Sequence, residues 1–154
     1  MTIPVRRALH YMALEPFFRI RGLGALMRWA RAFPVQEGES DSPAVRQALR
    51  LLRQGEPLVI FPEGGRSPDG RLQTFRPGAF RLALAVGAPV VPVTIVGAFE
   101  AWPARRRFPR PGRVIITYHA PLDSSALPPD ADRKARPELL MTLVRERIAA
   151  SLGA

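Results

Sequence analysis

The chain has 154 residues, 47% of them apolar, and a mean hydropathy near zero, which fits one globular domain with its own core and excludes a disordered chain. It has no cysteine and only two histidines, His10 and His119, so disulfides, thiolate metal centres and histidine-rich metal sites are excluded. Net charge is +10, which favours anionic partners: phosphorylated small molecules, acidic lipid headgroups or nucleic acid. That charge is discounted, because all but one of the 23 basic residues (Lys134) are arginine and prolines number 17, the pattern of GC-rich coding.

In chain order, residues 3–32 predict one or two helices, interrupted near Pro16 and again at Gly22 and Gly24. Arg21, Arg28 and Arg31 share a helical face, and Phe17, Phe18, Leu23, Leu26, Met27 and Trp29 load the rest. Such a segment fits a membrane interface, and it fits equally a core-packed helix with a solvated arginine face. Residues 33–35 predict a short strand and "EGESDSP" a polar loop. Ser42 is the expected N-cap of a helix with Pro43 at N1, apolar residues at Val45, Ala48, Leu49 and Leu52, and Gly55 just beyond its end. "PLVIF" (57–61) predicts a buried strand. Pro77 opens a helix with Phe80, Ala83 and Leu84 inward, closed by Gly87. "PVVPVTIVG" and "RVIITYHA" predict two more strands. "DSSALPPDADRKARP" reads as a loop, and Pro137 starts a last helix with Leu140, Leu143, Val144 and Ile148 inward. The class is α/β with a largely buried, mostly parallel sheet flanked by helices. No run reaches the ~20 apolar residues of a membrane span, and no secretory signal is read. The expectation is a cytoplasmic protein peripheral to the inner face of the membrane.

The stretch "LVIFPEGGRSPDG" (58–70) stops a strand abruptly and puts charged and flexible residues at its end. In an open α/β sheet, ligands gather beyond the carboxyl ends of strands. Gly64 and Gly65 let a ligand approach backbone N–H groups closely, and Arg66 offers a planar donor fork suited to phosphate. Ser67 adds a hydroxyl, and Ser67-Pro68-Asp69-Gly70 predicts a turn. Downstream, "TFRPGAF" brings Arg76 to a helix N-terminus, a place that favours anions. Two readings stand at this point: an anion cradle, or a tight turn held by a Glu63–Arg66 ion pair.

These residues carry a resemblance. "IFPEGGRS" resembles the F-P-E-G-T-R-S block of the phospholipid/glycerol acyltransferase family, the lysophosphatidic acid acyltransferases. "VVPVTIVG" (90–97) is similar to that family's V-P-V block, "FRPGAF" (75–80) to its F-K-x-G-A segment, and residues 11–35 to the stretch preceding its second block. The resemblance covers roughly residues 11–120 and implies a single glycerol-3-phosphate acyltransferase-like domain over residues 1–154. It implies acyl transfer from acyl-CoA or acyl carrier protein, as co-substrate, to a glycerol-phosphate or lysophospholipid acceptor, with no metal or resident cofactor. By the same resemblance, Glu63, Gly64, Gly65, Arg66 and Ser67 bind the acceptor, with Arg76 in place of the usual lysine. The family's base is a histidine oriented by an aspartate in an H-x-x-x-x-D block, the logic of a triad with the substrate hydroxyl replacing serine.

The departures are specific. The H-x-x-x-x-D block belongs upstream of Tyr11, so the expected fold is short at its N-terminus, with an open sheet edge prone to association. "HYMALEP" puts Glu15 five residues after His10, the same spacing, but His10 lies about one helix too late and lacks the flanking asparagine and serine; His10 and Glu15 are a secondary candidate pair. Gln36 and Glu37 stand where a phosphate-holding arginine is usual, and Gly65 where threonine is. Two alternatives follow: a non-catalytic relative binding lysophospholipid or acyl carrier, and a basic nucleic-acid-binding domain. Against the second, arginines and aromatics are not interleaved as stacking platforms require. The basic run "WPARRRFPRPGR" (102–113) is expected at a rim, as a solvated loop or facing lipid headgroups or an acidic carrier.

Overall fold

The computed structural model describes residues 8–36, 43–103, 105–106 and 108–153. They fall into two compact units, residues 1–61 and 62–154. In the first, the order is β1 (His10–Leu14), α1 (Pro16–Arg19), α2 (Leu23–Trp29), β2 (Ala32–Val35), α3 (Pro43–Arg53) and β3 (Leu58–Val59). The sheet order is β2-β1-β3 and every pairing is parallel, with Tyr11 opposite Ala32 and Val59.

The helix expected over 3–32 is corrected here: its 10–14 portion is the central strand β1. A short apolar run carries no period that separates buried strand from helix. Pairing decides it, with the amides of His10 and Glu15 donating to Pro57 and Val35 at 3.0 and 3.1 Å. The break at Pro16 is real, because Pro16 starts α1, and Gly22 with φ 81 precedes α2. Ala44 and Ala48 bury the inner face of α3, while the expected cap Ser42 lies outside the described residues. Gly55 closes α3 as expected: Glu56 N donates to Leu51 O and Gly55 N to Leu52 O, both at 3.0 Å, a Schellman arrangement.

The second unit contains α4 (Gly78–Val86), β4 (Val93–Val96), α5 (Ala98–Ala101), β5 (Ile115–Tyr118) and α6 (Arg136–Leu152). β4 and β5 pair antiparallel, Val93 opposite Tyr118. Gly87 ends α4 in the left-handed region, and Ala88 N reaches back to Ala83 O at 2.9 Å. The core gathers Phe75, Phe80, Leu127, Leu140, Val144 and Ile148. The stretch 123–137 is thus more than a loop: it inserts Leu127 and forms a 3-10 turn, Ser124–Ala126, capped by the Asp123 carboxylate. That cap, accepting from the Ser125 hydroxyl and amide, holds the Asp123 carboxyl below the usual aspartate range.

The expected burial of the sheet fails at β5, where all four residues are exposed. The helical cover goes to its neighbour instead. Buried Thr94 of β4 is joined to α6 by its hydroxyl, 2.6 Å from Ser151 Oγ, and to His119 Nε2 at 2.8 Å. Replacing Thr94 by valine keeps the shape but removes the hydroxyl partner of His119 Nε2, while Ser151 Oγ keeps its bond to Ile148 O at 3.0 Å. The expected cost is ~1–3 kcal/mol in urea unfolding; a change below ~0.5 kcal/mol, the scale of an ordinary surface substitution, contradicts this role.

Candidate functional site

The loop after Phe61 is closed by two hydrogen bonds. Arg76 N donates to Pro62 O at 2.9 Å, and Gln73 N donates to the Glu63 carboxylate at 3.0 Å. Phe75, between these ties, is buried in the core and lies near-parallel to Phe80 with ring centroids 6.5 Å apart. The core therefore fixes the backbone of its exposed neighbour Arg76.

Inside the loop, Asp69 organises the turn. Its Oδ1 accepts from Arg71 N and the Ser67 hydroxyl, each at 3.0 Å, and from the Gln73 amide at 3.2 Å. The Arg71 amide first, then Ser67, hold its carboxyl below the usual range. The Gln73 side chain also donates to Arg71 O at 2.8 Å. The chain bends at residues 68–71, with Gly70 at φ 81 and the Ser67 hydroxyl engaged by Asp69.

The Glu63–Arg66 ion pair is not formed. Among the described residues no carboxylate lies in salt-bridge range of Arg66; its guanidinium carbon sits 5.1 Å from the ring centroid of Trp102. Gly64 has φ 77, and a Cβ on it would meet the Arg76 guanidinium at 2.9 Å, so this glycine both makes the turn and admits Arg76. At Gly65, by contrast, nothing among the described residues lies within 4 Å of an added Cβ. Glu63, Gly65, Arg66, Gln73 and Arg76 line an open depression of about 390 Å³. Among the described residues its lining carries two arginines and one carboxylate, which Gln73 already engages, a setting for an oxyanion with several acceptor oxygens.

The structure does not bring His10 and Glu15 together. His10 opens β1 and Glu15 follows its last residue, so the extended strand separates them by ~16 Å at strand rise. His10 faces Glu56 at 4.0 Å, while Glu15 accepts from Arg19 at 2.7 Å and from Gln36 at 2.9 Å. Those bonds, with the Arg19 charge, hold the Glu15 carboxyl below its ordinary range. Gln36 is thus turned to Glu15, and Glu37 lies outside the described residues. Sequence reasoning missed Gln73 and Trp102. Nothing local marks either, since each acts only once the loop or α5 has brought distant residues beside it.

The family model for acyltransferases matches residues 1–96. The chain is a member of the acyltransferase family. It is similar to a 1-acyl-sn-glycerol-3-phosphate acyltransferase of Chlamydomonas reinhardtii, 35% identical over 73% of this chain and 32% of the relative. A chloroplastic enzyme of the same description from Brassica napus is 30% identical over 93% of this chain and 40% of its own length. Among solved structures, the 1-acyl-sn-glycerophosphate (LPA) acyltransferase of Thermotoga maritima matches with a TM-score of 0.72 and 25% identity, covering 96% of this chain and 58% of that one. This acyltransferase-family chain thus spans roughly a third to three fifths of the length of those relatives.

The two glycines make opposite predictions. Gly64→Ala combines a left-handed backbone with a clash on Arg76 and is expected to cost ~1–2 kcal/mol. Gly65→Thr, which installs the family's residue in open space, should be neutral or raise the melting temperature. Thermal unfolding of both variants checks this; equal behaviour contradicts the described loop.

Proposed function

We propose that this chain works in phospholipid biosynthesis, transferring an acyl group from a thioester donor, acyl-CoA or acyl carrier protein, to the free hydroxyl of a lysophosphatidate-type acceptor. The observation that carries the reading is the depression at the Glu63–Arg76 loop, where Arg66 and Arg76 face a space sized for a phosphate and glycerol. The resemblance implies acceptor binding at these same residues, and the relatives are named 1-acyl-sn-glycerol-3-phosphate acyltransferases. In the transfer, the acceptor oxygen bonds to the thioester carbonyl carbon, the carbon–sulfur bond breaks, and the thiol leaves with the proton taken from the hydroxyl. Arg66 and Arg76 hold the phosphate and so fix the hydroxyl's approach, the orientation part of catalysis. Glu63 holds the loop shut through Gln73. We take residues 1–154 as one acyltransferase-like domain, since the family match runs through the boundary between the two units.

A second reading has an observation of its own. His10 opens β1 and Glu15 lies just beyond its end, so they do not form the family's base pair. A chain without that base binds lysophospholipid or acyl carrier and loses ~10²–10⁴ in rate.

We place the chain at the inner face of a membrane as a peripheral protein. Phe17, Ile20, Leu26 and Trp29 of the α1–α2 segment are exposed, Trp29 to 82%, and Arg21, Arg28 and Arg31 are exposed among them. Apolar tips ringed by arginine suit an anionic bilayer surface. Among the described residues no helix is long and apolar enough to cross a membrane.

The test is label transfer from acyl-CoA to lysophosphatidate on phosphatidylglycerol vesicles. The transferase reading predicts labelled phosphatidate, lowered ~10²-fold or more by Arg66→Ala. Vesicle flotation of the chain without product supports the non-catalytic reading. The absence of both product and flotation contradicts the activity and the membrane placement alike.

A further inference from the structure

Trp102 does not line the depression, yet its ring carries the guanidinium of Arg66. The contact is within the ~6 Å at which a cation is attracted to an aromatic face. The ring is itself held. Its backbone amide donates to Ala98 O at 2.9 Å, closing α5, and its indole N–H donates to Arg106 O at 3.0 Å. Arg110 secures the same segment, through N to Ala101 O at 2.8 Å and Nε to Glu100 O at 2.6 Å. α5 follows β4 directly and lays Phe99 against Gly70 of the loop. Trp102 is therefore built onto the frame beside the depression.

How an arginine is held decides what it can still bind. Arg19, Arg71 and Arg81 each face a carboxylate, at 2.7, 3.9 and 3.1 Å, which engages N–H donors and offsets the charge. An aromatic face does neither. It attracts the cation through its quadrupole and leaves the five N–H donors to other partners.

We propose that Trp102 is the positioning residue for Arg66: it holds the guanidinium at the rim of the depression with charge and donors intact, ready for the phosphate monoester of the acceptor. This rests on the acceptor-binding reading above. It gives the first residue of the basic run 102–113 a role distinct from that of its arginines. It also explains why the exposed Arg66 has a defined place without an ion pair. The π face, rather than apolar bulk, is the operative property of residue 102.

Calorimetric titration of the full chain with glycerol 3-phosphate tests this, using wild type, Arg66→Ala, Trp102→Phe and Trp102→Leu. Phenylalanine keeps an aromatic face and leucine keeps only apolar bulk. The expected result is binding by the wild type, loss in Arg66→Ala, affinity within about twofold in Trp102→Phe, and weakening of about fivefold or more in Trp102→Leu. Equal affinity of the leucine and phenylalanine variants, whether both strong or both weak, overturns the role of the π face while leaving the acceptor reading standing if Arg66→Ala still loses binding. Wild type and Arg66→Ala that both fail to bind overturn the acceptor reading, and the inference with it.

Discussion

The carboxylate of Glu63 accepts the backbone amide of Gln73, and with the Arg76–Pro62 bond this closes a long excursion into a defined loop. Most of the candidate site depends on that closure. It puts Gln73 where its side chain ties Ser67, Asp69 and the Arg71 carbonyl together. It brings Arg76 against Gly64, and it leaves Arg66 to the ring of Trp102. Burial makes the closure firm: Phe75 is 4% exposed and packs beside Phe80, so the loop's far end is part of the core. A ligand cradle on such a loop is organised before the ligand arrives, which lowers the ordering cost of binding.

Charge has to be read locally. A net charge of +10 pointed to anions and named none. The structure engages several arginines in ordinary structural work: Arg19 with Glu15, Arg81 with Glu138, Arg110 and Arg136 with backbone carbonyls. The described lining of the depression holds Arg66, Arg76 and one carboxylate, Glu63, whose Oε2 already accepts from Gln73. The proposed phosphate site rests on this local imbalance and not on the global one.

What the sequence disclosed was mostly punctuation. Gly55 and Gly87 end α3 and α4 where they were expected, because few other residues tolerate the left-handed backbone that lets the last carbonyls be satisfied. Pro16 and Pro77 mark helix starts through their fixed φ. The ordered blocks around 58–70, 75–80 and 90–97 led to the family that the comparison with the acyltransferase model then established. Tertiary decisions were hidden. β1 is a strand because neighbours on both sides supply its hydrogen bonds. Gln73 and Trp102 acquire their roles only through folding, and their exposed or half-buried surroundings leave no periodic trace. His10 and Glu15 share the spacing of a catalytic block, but a strand rather than a helix between them sends them to opposite ends.

The central claim is that Arg66 and Arg76 bind one anion together. The most direct measurement is the nuclear magnetic resonance of their side-chain Nε–H groups during addition of glycerol 3-phosphate. The account predicts that both signals shift in step and saturate at the same concentration. Unmoved Arg66 and Arg76 signals, or shifts confined to the arginines of 105–113, would contradict it.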